Sequence, residues 1–280
     1  MNYELIDTGE GRRLEKFGDY ILDRPDPQII WSKNLPSSDW EKADARYERI
    51  SEDKGKWIIN TKLPEKWEME HQGIKFWARL TPFKHTGVFP EQAEQWEFLE
   101  RQINQSINQP INVLNLFAYT GIATLFAAKA GAKVTHVDAS KPGIAYANEN
   151  KMLNKLDKAP IRWIVDDALK FTAREIKRGV KYDVILMDPP AYGHGPNGEV
   201  WDFNKDFPKL LENCKQLLSD TPLFVLANAY AISSSSITLA NTLQGYFGKL
   251  GGSVENGELT LKEKSAGRLL STGIWARWSV

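Results

Sequence analysis

From residue 111 onward, short runs of apolar, β-branched residues alternate with longer segments of helical pattern. The runs predict five strands, at residues 111–117, 134–137, 161–165, 182–187 and 223–226. Helices lie between them in the prediction, with Thr120 and Ser140 as candidate N-caps. Because alternating strands and helices build βαβ units, the sequence predicts a Rossmann-like, doubly wound, mostly parallel sheet. Further strands in the tail bring the predicted sheet to seven.

Groups suited to binding a small ligand follow four of these strands. After the first strand, Ala118 and Gly121 are small enough for a backbone to approach a ligand. The second strand ends at Asp138, where a carboxylate can accept hydrogen bonds from ribose hydroxyls. The third ends at Asp167, and the fourth runs into residues 188–192 (DPPAY). Each group alone has a structural explanation as a turn or a helix cap, but ligands of parallel sheets bind beyond these strand ends.

The turn after the first strand indicates which ligand this site would take. A dinucleotide site needs G-x-G-x-x-G, because the backbone packs against a pyrophosphate there, and this turn (FAYTG) holds one glycine. A phosphate-binding G-x-x-x-x-G-K-[ST] loop is also absent from the sequence. The pattern therefore favours a nucleoside without phosphates, and S-adenosylmethionine fits that description.

The first hundred residues differ in composition from the rest. They are net acidic whereas the remainder is net basic, and they hold six of the ten tryptophans. Short apolar runs broken by turn residues indicate strands, and Pro90 opens a predicted helix to about Ile107. We therefore expect a small, mainly β N-terminal domain at residues 1–80. A connecting segment and helix would follow at 81–110, and a cofactor-binding domain at 111–280.

Composition excludes several classes of protein. The 36 basic and 36 acidic residues give no basic field, which argues against avid nonspecific nucleic-acid binding but not against a specific RNA. No run is long and apolar enough for a membrane span, and the N-terminal residues lack the apolar core of a signal peptide. The single cysteine, Cys214, excludes an internal disulfide framework and a cysteine-clustered metal site. We expect a cytoplasmic protein with neither a membrane partner nor a metal.

Several segments together resemble the class I S-adenosylmethionine-dependent methyltransferases. Within that class they resemble the branch containing bacterial large-subunit ribosomal RNA methyltransferases. Residues 113–121 (VLNLFAYTG) are similar to the first cofactor motif and residues 147–156 (ANENKMLNKL) to the second helix. Residues 166–168 (DDA) and 188–190 (DPP) match the third and fourth motifs. Residues 85–92 (HTGVFPEQ) resemble a segment that folds over the cofactor in the family.

The resemblance implies roles for individual residues around S-adenosylmethionine. Asp138 would hold the ribose hydroxyls, and Asp167 with Ala168 the adenine edge. Phe89 and Gln92 would close the pocket. Asn115, Thr120 and Gly121 would lie along the methionine portion. The remaining cofactor contacts implied are Phe117, Ala118, Ala139 and Asp188.

The residues also indicate which atom would receive the methyl group. Methylation at carbon 5 of a pyrimidine needs a cysteine nucleophile, and none follows the fourth or fifth strand. Cys214 lies among leucines in a helical pattern and is predicted to be a buried structural thiol. A nitrogen needs less, because Asp188 and the Pro189 carbonyl could orient an amino group. Pro190 would stiffen this catalytic loop, and Tyr192 could stack on a planar target.

The leading hypothesis is therefore methylation of a base nitrogen in structured RNA, with ribosomal RNA as the expected partner. A small molecule or a protein side chain is an alternative acceptor. It is favoured by the zero net charge and by an N-terminal region unlike the RNA-binding domain of several relatives. A non-catalytic RNA-binding protein that retains the cofactor pocket is a third hypothesis, which the intact Asp188-Pro189-Pro190 loop opposes. No feature of the sequence indicates an oligomeric state.

Overall fold

The computed structural model describes residues 1–51, 54–107 and 110–280. They form two compact units. The first contains Met1–Ala93 and Thr260–Ser271, and the second contains Glu94–Leu259 and Thr272–Val280. The first unit thus continues beyond the predicted boundary at residue 80 and takes in a C-terminal segment that no change of composition indicated.

The first unit is mainly β, as predicted. One sheet has five strands in the order β1-β2-β3-β4-β5, and β6 pairs with β7 in a separate hairpin. Helix α1 is a single turn, and a 3-10 turn at Pro90–Gln92 lies at the end of the N-terminal part of this unit. The bounds are β1 Tyr3–Gly9, β2 Arg12–Phe17, β3 Tyr20–Pro25, α1 Ser37–Trp40, β4 Ala45–Arg49, β5 Gly55–Ile59, β6 Trp67–His71 and β7 Ile74–Ala78.

A buried carboxylate ties the C-terminal segment into this first unit. Glu263 is 1% exposed, and its Oε1 accepts hydrogen bonds from the Thr8 backbone N–H (2.6 Å) and hydroxyl (2.7 Å). A second buried carboxylate, Glu15, accepts from the Arg24 Nε and Nη2 at 2.6 and 2.7 Å. Burial alone would raise the pKa of Glu15, but the arginines on either side lower it below the usual range. Both carboxylates are therefore compensated inside the sheet domain.

The second unit alternates strands and helices, as the sequence predicts. Its helices are α2 Ala93–Gln105, α3 Ile122–Lys129, α4 Lys141–Leu153, α5 Ala168–Lys177, α6 Phe203–Leu217 and α7 Ser236–Phe247. Its strands are β8 Asn112–Leu116, β9 Lys133–Asp138, β10 Ile161–Val165, β11 Val184–Met187, β12 Tyr192–His194, β13 Val200–Asp202, β14 Phe224–Ala229, β15 Ser253–Lys262 and β16 Leu269–Ser279. None of the helices described is long and apolar enough to cross a membrane.

Seven of these strands form one sheet in the order β10-β9-β8-β11-β14-β16-β15. Strands β10, β9, β8, β11 and β14 run parallel, and β16 pairs antiparallel with β14. The predicted seven-stranded, mostly parallel α/β sheet is confirmed. Strand order reverses between β8 and β11, because the chain first adds strands on one side of β8 and later on the other. Such a switch point is where open parallel sheets bind ligands.

The two faces of the sheet differ in what covers them. One face packs against α5, α6 and α7 through alternate strand residues: Leu114, Leu116, Ile185, Met187, Val225, Ala227 and Ala229. Since side chains alternate along a strand, Asn115, Phe224 and Asn228 point to the opposite face. There Asn115 hydrogen-bonds to Thr124 of α3, and Phe224 makes an edge-on contact with Phe98 of α2 at 5.1 Å.

Candidate active site

The loop after β8 has an unusual backbone. Phe117, Tyr119 and Gly121 all have positive φ, at 55°, 44° and 76°. A Cβ on Gly121 would lie 2.9 Å from the Ala147 Cβ and 3.2 Å from the His136 Cε1. Position 121 therefore requires glycine for both conformation and space. Non-glycine residues in this region are strained, and such strain concentrates at functional sites.

The predicted N-cap of the following helix is wrong by one residue. Gly121, and not Thr120, caps α3, and it makes no side-chain hydrogen bond. Because the left-handed turn lies at Gly121, α3 begins one residue later than a side-chain cap at Thr120 would place it. The Thr120 carbonyl instead accepts a hydrogen bond from the Asn150 Nδ2 of α4 at 2.9 Å.

A buried polar chain lies beneath this loop. The Asn115 Nδ2 donates to the Thr124 Oγ1 at 3.0 Å, and a 2.9 Å hydrogen bond joins that oxygen to the His136 Nδ1. Burial lowers the pKa of His136 to about 3, so the imidazole is neutral at physiological pH. Asn115 is one of the residues predicted from the sequence, whereas Thr124 and His136 are not. Their spacing carries no motif, because they meet only when α3 packs on β9.

Asp138 is held in place by the backbone around it. Its Oδ2 accepts from the Tyr119 N–H at 2.8 Å and its Oδ1 from the Ser140 N–H at 2.7 Å. Burial raises the pKa of Asp138, and these two hydrogen bonds oppose that shift. Each carboxylate oxygen can still accept another hydrogen bond, so the group fits the ribose hydroxyls of a nucleoside. Ala139 lies between Asp138 and Ser140, and Ser140 caps α4 as predicted.

The aspartate at the end of β10 acts as a helix cap. The Asp167 Oδ1 accepts from the Lys170 N–H at 2.9 Å, so this aspartate is the N-cap of α5. Asp166 in turn accepts from the Asp167 N–H at 2.9 Å and forms an ion pair with Arg174. Ala168 is buried in the sheet core. The cap fixes the Asp167 backbone and uses Oδ1, which is compatible with a ligand contact through Oδ2.

The loop after β11 is fixed by a tryptophan that the motif analysis did not identify. The Asp188 N–H donates to the Leu116 carbonyl of β8 at 3.3 Å, which continues the sheet across the switch point. The Pro190 carbonyl accepts from the indole Nε1 of Trp201 at 2.7 Å. The same indole contacts the Phe117 ring edge-on, with ring centroids 4.9 Å apart. Trp201 therefore links the loop after β8 to the loop after β11.

The glycine-rich stretch at residues 193–198 is part of a hairpin. Strands β12 and β13 pair antiparallel, and Glu199 fixes the turn by binding the Asn197 N–H at 2.9 Å and the Lys170 ammonium at 2.5 Å. Tyr192 remains 59% exposed beside the loop and forms a T-shaped pair with His194 at 5.4 Å. The glycines and the proline in this stretch indicate a turn, but the pairing of β12 with β13 arises from contacts between distant residues.

Three further predicted residues lie in other settings. Phe89 precedes the 3-10 turn Pro90–Gln92 in the first unit, and Gln92 is buried at its end. Their closing role over the cofactor stays a prediction. Cys214 lies in the core of α6 with its Sγ 3.7 Å from the Met187 Sδ, and burial raises the pKa of its thiol. The prediction of a buried thiol is confirmed. Among the described residues no cluster of three histidine, cysteine or acidic side chains could hold a metal.

A family model described as "S-adenosylmethionine-dependent methyltransferase" matches residues 39–243. The chain belongs to this family. It is therefore an enzyme that uses S-adenosylmethionine, as the sequence predicts.

Two curated relatives and one solved structure are similar to this methyltransferase. It is 32% identical over 225 residues to ribosomal RNA large subunit methyltransferase K/L of Alteromonas mediterranea, covering 79% of this chain and 30% of that one. The corresponding protein of Pseudoalteromonas atlantica is 33% identical over 200 residues, covering 71% and 25%. This chain thus spans less than a third of the length of either relative. A SAM-dependent methyltransferase from Agrobacterium tumefaciens is 42% identical, with a TM-score of 0.96 over 100% of this chain and 90% of that one.

Proposed function

We propose that this methyltransferase methylates a nitrogen on a base of structured RNA, with ribosomal RNA as the substrate class. Support comes from the ribosomal RNA methyltransferases that its sequence resembles. The observation that carries the choice of nitrogen is the position of the only cysteine. Cys214 is fully buried in α6, so it is unavailable as a nucleophile for carbon methylation. A cytoplasmic location would suit such a substrate.

The residues that would hold S-adenosylmethionine lie at the ends of β8, β9 and β10. Asp138 would accept from the ribose, and Asp167 with Ala168 would border the adenine. Asn115, Phe117, Ala118, Thr120, Gly121 and Ala139 would line the remainder, with Phe89 and Gln92 closing over it. When bound, the cofactor supplies a methyl group activated by a positively charged sulfur.

The loop after β11 would orient the acceptor. The Asp188 carboxylate and the Pro189 carbonyl would accept the N–H groups of the target nitrogen and so direct its lone pair at the methyl group. As the N–C bond forms, the C–S bond breaks and sulfur keeps the electron pair. The extra proton on nitrogen would leave to Asp188 or to water. Pro190, fixed by Trp201, would hold this geometry, and the exposed Tyr192 would stack on the base.

The alternative is a small-molecule or protein acceptor, favoured by the zero net charge of the chain. The enzyme and methyl-labelled S-adenosylmethionine should be incubated with the RNA, protein and metabolite fractions of a cell extract, each fraction in a separate reaction. We expect label in RNA, on a base nitrogen, and its loss in Asp188→Ala. Label only in protein or metabolites would replace the RNA proposal, and label on carbon 5 of a pyrimidine would refute the argument from Cys214.

A further inference from the structure

Asn228 is a polar side chain in a strand that is otherwise apolar. It is the next-to-last residue of β14, between Ala227 and Ala229, and every residue of that strand is buried. Its own exposure is 5%. A buried amide at this point needs an explanation, because packing alone would favour an aliphatic residue.

Strand register places Asn228 beside the loop of the proposed acceptor site. Ala227 of β14 pairs with Met187 of β11 in the parallel sheet. Asn228 and Asp188 are the next residues along these two chains, and neighbouring strands lie about 4.8 Å apart. Strand β14 is separated by β11 from β8, β9 and β10, which carry the predicted cofactor residues. Asn228 is therefore next to Asp188, on the side away from the cofactor strands.

The side chain of Asn228 points to the face of the sheet that carries Asn115. Ala227 and Ala229 belong to the core beneath α6 and α7, so the residue between them faces the other way. It therefore lies outside the large apolar core, on the same face as the buried polar chain of Asn115 and Thr124.

The Asn228 Oδ1 is buried and accepts no hydrogen bond from any part of the chain that the structure describes. A buried acceptor without a partner costs about 1–3 kcal/mol of stability, and native proteins hold few of them. A buried oxygen that makes no hydrogen bond within the described chain is accounted for if a ligand supplies the missing donor.

We propose that Asn228 binds the acceptor substrate, its Oδ1 accepting an N–H from the edge of the target base beside the nitrogen that is methylated. Asp188 and Asn228 then hold neighbouring donors on that edge and fix the rotation of the base in its plane. Bases without a donor at that position leave the amide oxygen unpaired and bind more weakly. The inference rests on the proposed RNA substrate.

The test is Asn228→Leu, which keeps the size of the side chain and removes its polar atoms. We expect an unchanged or higher Tm, S-adenosylhomocysteine binding within about twofold of wild type, and kcat/KM on RNA at least about tenfold lower. Asn213→Leu is the control, because the Asn213 Nδ2 donates to the Thr172 Oγ1 at 3.0 Å between α5 and α6. That variant should lose Tm and keep its kcat/KM.

A lower Tm for Asn228→Leu would show that the amide stabilises the fold and would overturn the proposal. Unchanged kcat/KM would overturn it as well, and a matching loss of S-adenosylhomocysteine affinity would assign the residue to the cofactor instead. Failure of the wild-type enzyme to methylate any RNA is a different result. It would refute the proposed function, and with it the proposal that the ligand of Asn228 is an RNA base. The Tm of Asn228→Leu tests separately whether the unpaired amide oxygen stabilises the fold.

Discussion

Trp201→Phe tests whether the loop after β11 depends on one indole hydrogen bond. The substitution removes the Nε1–H that donates to the Pro190 carbonyl at 2.7 Å. It keeps an aromatic ring that can still pack against Phe117. Trp201 is 3% exposed, so its indole donates to this loop from the protein interior. The Pro190 carbonyl is then left without its partner.

The structure sets the size of the expected effect. A hydrogen bond of this kind contributes about 0.5–1.5 kcal/mol, and because Pro190 is exposed, its freed carbonyl can move toward water. Such a movement displaces Asp188 and Pro189, which would orient the acceptor. If a barrier increase of about 1.4–2.8 kcal/mol results, kcat falls about ten- to a hundredfold. Affinity for S-adenosylhomocysteine should change little, because Asp138 and Asp167 are fixed by their own backbone hydrogen bonds.

Trp278→Phe is the matched control. Trp278 is fully buried, and its Nε1 donates to the Gly251 carbonyl at 2.8 Å, so the chemical change is the same. Trp278 lies on β16 and pairs with Val225 near the start of β14, at the opposite end of that strand from the predicted site. Chemical denaturation and steady-state methyl transfer should be measured on both variants. Both should lose stability, but only Trp201→Phe should lose kcat; equal kcat values in the two would refute the reasoning.

Three other changes have directions that the structure predicts. Gly121→Ala should destabilise the protein by at least about 1 kcal/mol and weaken S-adenosylhomocysteine binding, because its Cβ would sit 2.9 Å from that of Ala147; denaturation and calorimetry measure the two effects. His136 takes up a proton near pH 6.5 in the unfolded chain but only near pH 3 in the folded protein. The free energy of unfolding should therefore decrease by about 1.4 kcal/mol for each unit by which the pH is lowered between those values. His136→Phe should remove that part of the pH dependence in denaturation curves. Cys214→Ala should keep wild-type kcat in the methyl-transfer assay while losing about 1–2 kcal/mol of stability from the cavity it leaves.

Much of the second unit could be predicted from the sequence because its signals are local. Apolar runs of strand length coincide with β8, β9, β10, β11 and β14 to within two or three residues at each end. Ser140 accepts from the Gly143 N–H at 3.1 Å, and Ser235 accepts from the Thr238 N–H at 3.2 Å. A serine before a helical segment carries the information for its own cap, so no tertiary contact is needed to find it.

The start of α6 shows where local signals mislead. The apolar pattern of the sequence predicts a helix at residues 207–218, between the fourth and fifth predicted strands. The helix begins at Phe203, because Asp202 accepts from the Asn204 N–H at 3.1 Å and caps it earlier. Proline is best tolerated in the first turn, and here it lies inside the helix, where its missing N–H removes one hydrogen bond. Packing of Phe203 and Phe207 into the core outweighs that loss.

The site was less predictable than the sheet, since its decisive contacts join distant parts of the chain. Trp201 reaches Pro190 only because β12 and β13 pair, and Glu199 in their turn also binds Lys170 of α5. Positive φ at Phe117 and Tyr119 contradicts the usual preference of aromatic residues, so no propensity scale would place them there. The motif spacing located the strand ends but could not show what fixes the loops that follow them.

Three departures from ordinary folding rules lie at the ends of three adjacent strands. β8 ends in strained backbone at Phe117, β11 in a loop fixed by an indole, and β14 in an amide whose oxygen lacks a partner in the described chain. Each feature costs stability or depends on one buried contact, whereas the middle of the same sheet is apolar and regular. Local rules are broken in folded proteins chiefly where binding requires it. Their adjacency supports the proposed ligand surface across β8, β11 and β14, in which the methyl group would pass from the cofactor end to the acceptor end.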